Sequence, residues 1–282
     1  MAELEEGVTI SASSERPQLR KVDRFCQPSC CCCICCGKRW TMALLMMFGF
    51  IVTFGMRCNI GVAIVQIMST TSNEIEVEEF NWTPETIGYV DVSFFWGFVL
   101  TQLPGGILSA FFPAHYVFGA GIFLSSCLNL LIPTATFDPK AVIAVRFIQG
   151  LTDGITIPAS YGIWRWWAPA PERTCLATIA FSGSYFGIVI GMPLADFLSD
   201  GVGWKIPFYF YGCAGIVWFF FWLWLAFEKP SKHPAISTNE KQQIEESTGG
   251  SKSVGPTIKT TPWLKVCFLL ALKIIMIFLF RC

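Results

Sequence analysis

The chain has 282 residues, 53% hydrophobic and 14% charged, with 20 basic and 20 acidic side chains and so no net charge. That balance excludes an ordinary soluble domain and a disordered chain, and it leaves no basic excess for nucleic acid. A polytopic membrane protein remains, all-α because a helix satisfies its own backbone groups in lipid.

Residues 1–40 hold few large apolar side chains and read as a disordered cytosolic segment. They open with acids instead of a basic, then apolar, leader, so no cleavable signal peptide is expected and the first span acts as the insertion signal. Of the 13 cysteines, Cys26, Cys30, Cys31, Cys32, Cys33, Cys35 and Cys36 crowd together here. On a reducing side they argue against disulfides. Adjacent thiols cannot all bind one tetrahedral ion and no histidine is near, which disfavours zinc. Cysteines beside Lys38 and Arg39 at a membrane edge suit palmitate, with Cys35 and Cys36 the candidates and inert thiols the alternative.

Apolar runs of about 18 residues or more mark membrane spans. The first is 41–68, with Arg57 near its middle. An acidic loop follows, holding Glu74, Glu76, Glu78, Glu79 and Glu85, and Asn81-Trp82-Thr83 in it is a glycosylation acceptor. Span 86–112 carries Asp91 near one end and Pro104-Gly105-Gly106 within it; span 116–134 follows after a short connection without Lys or Arg. Span 141–168 contains Arg146, Gly150, Asp153, Gly154 and Pro158, and span 175–199 contains Gly183, Gly187 and Gly191 at a spacing of four. Small residues at that spacing let helices approach closely, the main source of helix contact in lipid. Pro104 and Pro158 are expected to bend or loosen their spans. After span 206–227 come a polar linker, 228–263, with a short helix expected at 238–247, and a divergent, more weakly apolar segment, 264–282.

Basic residues set the orientation. Arg16, Arg20, Lys21, Arg24, Lys38 and Arg39 precede the first span, Arg165 and Arg173 flank the fourth connection, and Lys229, Lys232, Lys241, Lys252, Lys259 and Lys265 follow span six. The opposite side has only Lys140 and Lys205. Both ends of the six-span bundle, 41–227, are therefore expected in the cytosol.

Two arginines at bilayer depth define the chemistry. Each costs about 3 kcal/mol or more to insert, and so faces a bundle interior or a watery path. Such a pair suits an anion; the plainer alternative is that each is satisfied by a carbonyl or a carboxylate on a neighbouring helix. Arg146, Gly150 and Asp153 share one helix face, but the rise from Arg146 to Asp153 is about 10 Å, long for an ion pair, so each needs another partner or water. Asp91 is either a proton carrier or a solvated helix-end acid. No nucleophile–base pair or metal-ligand set appears in the spans, so neither an enzyme nor a cofactor is expected.

Several stretches carry a resemblance. Phe54-Gly55-Met56-Arg57-Cys58-Asn59-Ile60-Gly61 resembles the first-span signature of the vesicular glutamate transporters, and Phe80-Asn81-Trp82-Thr83-Pro84-Glu85 the entry to their second span. Ser93-Phe94-Phe95-Trp96-Gly97, Thr101-Gln102-Leu103-Pro104-Gly105-Gly106, Arg146-Phe147-Ile148-Gln149-Gly150 and Trp167-Ala168-Pro169-Ala170-Pro171-Glu172-Arg173 are shared with that group and with sialin-like proteins.

The resemblance covers roughly residues 26–263. It implies the anion–cation symporter branch of the major facilitator superfamily, whose fold has two six-helix halves rocking about a central site. It further implies that Arg57 and Arg146 contact an organic anion and that Asp153, where the family usually has Glu, couples an ion. The family usually has His where this chain has Asp91, and commonly His in place of Tyr161. The only histidines, His115 and His233, are expected outside the spans.

The expected protein is thus the amino-terminal half of a transporter, followed by the weak seventh segment. It sits multi-pass in a vesicle (synaptic, by the resemblance) or plasma membrane. It moves a glutamate-like anion with protons, inorganic ions or the membrane potential, alone as a homodimer or with a full-length relative. The alternatives are sialic acid, phosphate or another anion as cargo, or a non-transporting regulatory protein.

Overall fold

The computed structural model describes residues 37–71, 84–136, 138–169, 171–234 and 236–247. Asn81, Cys35, Cys36, most of the acidic first loop and 264–282 lie outside these. Six long helices follow in turn: α1 (Lys38–Thr71), α2 (Pro84–Phe111), α3 (Ala114–Ala135), α4 (Pro139–Trp167), α5 (Arg173–Val202) and α6 (Ile206–Leu225). A 3-10 turn at Pro230–Lys232 leads to the short α7 (Thr238–Ser247), on the residues the sequence assigned to it.

Local chemistry sets several ends. The Asp138 carboxylate accepts from the Lys140 backbone N–H at 3.0 Å, with Pro139 in the first turn of α4. Gly203 closes α5 at φ 123°, a conformation that strains any residue with a side chain. The helices continue through Pro104 and Pro158. His115, expected outside the spans, sits buried in the first turn of α3, because that helix starts two residues earlier than the apolar run.

Five helices (α1, α2, α3, α5 and α6) are long and apolar enough to cross a membrane. At 29 residues α4 is long enough, but it carries Lys140, Arg146, Asp153 and Arg165 together with a polar stripe. The exception among the six is the helix that bears the site. Large apolar side chains such as Leu100, Val189, Phe197 and Phe220 cover the outer surface, as hydrocarbon requires.

The main pairings are α2 with α4 and α1 with α5, then α3 with α4 and with α6. Exchanging the first three helices for the last three maps one main pairing onto the other, as in a three-plus-three repeat within a six-helix unit. Glycines set both. Gly183, Gly187 and Gly191 of α5 pack on the backbone at Met47, Ile51 and Gly55 of α1; Gly150 and Gly154 of α4 meet the Phe94 and Phe98 carbonyls of α2. Replacing Gly150 by Ala would drive Cβ into the Phe94 carbonyl. The expected loss is about 1–3 kcal/mol of stability. Gly61→Ala, whose Cβ meets nothing within 4 Å, should instead gain up to about 1 kcal/mol. Detergent unfolding followed by tryptophan fluorescence compares the two; equal effects would contradict the close-packing account.

An aromatic core binds one end of the bundle. Phe50, Phe118, Trp164, Trp167, Trp218 and Trp222 cluster there, and the Trp218, Trp222 and Trp167 indoles donate to the carbonyls of Leu45 (3.0 Å), His115 (2.8 Å) and Phe227 (2.8 Å). Below it, Glu240 of α7 accepts from the first backbone N–H groups of α1, Lys38 at 3.1 Å and Arg39 at 3.2 Å. A carboxylate there complements the positive end of the helix dipole. Arg39 also pairs with Glu172 at 3.2 Å, tying α1 to the α4–α5 connection.

Candidate functional site

One face of α4 is polar and buried: Arg146, Gln149, Asp153, Thr156 and Ser160 recur at intervals of three or four and are at most 2% exposed. The Thr156 and Ser160 hydroxyls donate to carbonyls of their own helix, Asp153 at 2.7 Å and Ile157 at 2.6 Å. The other three have no such local solution.

Asp153 finds its partner on another helix. Arg57 of α1 donates from Nε to the Asp153 carboxylate at 3.2 Å. The same guanidinium lies 4.3 Å from the ring centroid of Phe54, 4.8 Å from Phe98 and 5.2 Å from Phe94. Ring faces attract a cation by about 0.5–2 kcal/mol each, so Arg57 is held by one carboxylate and three rings from α1 and α2. Ser125 of α3, fully buried, faces the same carboxylate.

Arg146 stands differently. It is 2% exposed, yet its Nε and Nη2 have no hydrogen-bond partner among the described residues. Those two N–H groups form one edge of the guanidinium, the fork that takes a carboxylate by two parallel hydrogen bonds. Gln149, one turn along the same face, leaves both its amide oxygen and nitrogen unpartnered. Buried polar groups are normally satisfied, so an unpartnered guanidinium edge beside an unpartnered amide makes these two side chains the candidates to meet a polar ligand or water.

Two of the residues singled out in the sequence therefore meet, and two more lie within electrostatic reach. Arg57 and Asp153 form an ion pair; Arg146 lies one turn and more away, and Asp91, half-buried on α2, is within its electrostatic reach together with Asp153. Tyr161 is apart from them, 58% exposed, on a cavity of about 720 Å³ between α4 and α5 that Trp164, Arg165, Arg173 and Phe181 also line. Gln149, Ser125 and the three phenylalanines are additions. Gln149 lies three residues after Arg146 and four before Asp153, on the same side of the helix, a signal that spacing held.

The model of the Major Facilitator Superfamily matches residues 38–281. A zebrafish (Danio rerio) protein called vesicular glutamate transporter 2.1 is 47% identical over 247 residues, which is 83% of this chain and 42% of that protein. The human (Homo sapiens) vesicular glutamate transporter 2 is 43% identical over 270 residues, 92% of this chain and 46% of its own length. Vesicular glutamate transporter 1 of Xenopus tropicalis is 45% identical over 271 residues, again 92% of this chain and 46% of its own. The chain thus spans less than half the length of these relatives.

Proposed function

The chain belongs to the Major Facilitator Superfamily as a multi-pass membrane protein similar to vesicular glutamate transporters, and we propose that its six helices form one half of an organic-anion transporter. The observation that carries this reading is the buried Arg146 fork, polar, cationic and without a partner among the described residues. A substrate carboxylate placed there completes two charge-assisted hydrogen bonds that nothing else in the described structure makes.

Arg57 serves beside it. Held by Asp153 and three rings, it keeps a second cation next to the fork and is released toward an anion only if Asp153 gives it up. Asp153 and Asp91 are the acids placed to take up a proton or cation when that happens, which couples the anion to an ion gradient or to the membrane potential. The cargo is glutamate-like, as the relatives' names suggest; sialic acid, phosphate and other organic anions are the rival cargoes. The setting is a vesicle membrane with both ends of the six-helix unit in the cytosol, as the Lys/Arg asymmetry supports.

A site between two rocking halves is open on one side when only one half is present. Purified chain in liposomes should therefore show no gradient-driven glutamate uptake above empty vesicles. Joined to the second half of the human relative, it should show saturable uptake. Saturable uptake by the chain alone would mean that it pairs with itself. A well-folded joined protein that moves neither glutamate nor sialic acid nor phosphate would refute the transporter reading and leave a regulatory membrane protein in its place.

A further inference from the structure

We infer that Asp91 is the built-in counter-charge of Arg146 and selects monoanions over dianions at that fork. The inference rests on the reading of Arg146 as the carboxylate contact. Its geometric basis is the register of α2 and α4. Gly150 packs at the Phe94 carbonyl and Gly154 at that of Phe98, so the two helices run side by side in the same direction. One turn back from Phe94 is Asp91; one turn back from Gly150 is Arg146. Opposite charges on adjoining helices thus stand at one level.

The charges of the site then balance. Arg57 and Arg146 contribute two positive charges, Asp91 and Asp153 two negative. Arg57 is matched by Asp153 at 3.2 Å, and the charge of Asp91 acts on Arg146. Yet the Nε and Nη2 edge of Arg146 has no hydrogen-bond partner among the described residues, so Asp91 supplies charge without filling the fork. A ligand carboxylate can enter the fork with Asp91 in place. It meets attraction from Arg146 and repulsion from Asp91. A second carboxylate on the same ligand, unless the ligand carries a cation of its own, finds Arg57 engaged by Asp153 and meets the repulsion of Asp91.

Isothermal titration of the purified chain with butyrate and glutarate, a monoanion and a dianion, tests this. The unaltered chain should bind butyrate more tightly than glutarate. Asp91→Asn should tighten glutarate by about tenfold and butyrate by less, because one nearby negative charge is gone. Asp91→Glu, which keeps the charge, should stay within about twofold of the unaltered chain for both. Arg146→Lys should weaken both ligands. No tightening in Asp91→Asn, or equal tightening in Asp91→Glu, overturns the inference while the effect of Arg146→Lys leaves the fork in place. Binding that ignores Arg146→Lys overturns both. Should Asp91→Asn fail to fold, the preference of the unaltered chain decides: glutarate bound as tightly as butyrate contradicts the inference.

Discussion

Asp153→Asn should cost the folded protein about 3 kcal/mol, one of the largest single losses available in this bundle. The substitution keeps the shape of the side chain and removes the charge that faces Arg57 at 3.2 Å, on a carboxylate only 1% exposed. Breaking a buried pair by deleting one partner leaves the other uncompensated and typically costs about 3–5 kcal/mol. The lower end applies because the Arg57 side chain keeps 19% exposure and three aromatic rings. The double variant Arg57→Gln with Asp153→Asn removes both charges and should recover most of the loss. Chemical unfolding in detergent of the two single variants and the double one measures the coupling. A double variant no more stable than Asp153→Asn would mean that the pair is not what holds α1 to α4.

Arg146→Lys should remove most substrate uptake from the chain joined to a relative's second half, although the charge is retained. An ammonium is a point charge on a flexible stem and cannot offer the two parallel N–H groups of the guanidinium edge. Losing one charge-assisted hydrogen bond and its alignment is worth about 1.5–3 kcal/mol, or roughly tenfold to a hundredfold in affinity. Arg57→Lys should hurt less at the substrate and more in stability, since Arg57 spends its Nε on Asp153. Membrane abundance of each variant must be read alongside. Near-normal uptake by a well-expressed Arg146→Ala protein would end its role as the anion contact.

Much of this architecture could be read from the residues, for reasons that differ by element. The hydrocarbon core sets the length of a span, so apolar runs such as 206–227 fall within two residues of the helix Ile206–Leu225. The glycines of 175–199 were legible as a packing stripe, but not their partner. That α5 lies on Met47, Ile51 and Gly55 depends on which helices meet in three dimensions. The same limit hid the ion pair. Spacing on α4 showed Arg146 and Asp153 to be too far apart for each other, and the partner of Asp153 proved to be Arg57, 96 positions away.

Uncharged polar groups were the other gap. Gln149 shares the face of Arg146, yet an amide without charge draws no notice in an apolar run. The 238–247 helix was legible in its bounds, whereas the docking of Glu240 on the start of α1 joins residues about 200 positions apart. No local pattern encodes that contact.

The central claim is that the open edge of Arg146 holds the carboxylate of the substrate. Equilibrium dialysis of labelled glutamate against the purified chain in detergent measures it without any need for transport. The account predicts one saturable site per chain, weakened at least tenfold by Arg146→Lys and unchanged by Arg165→Lys, a cation outside the site. Saturable binding that persists in folded Arg146→Lys and is lost in Arg165→Lys would contradict it.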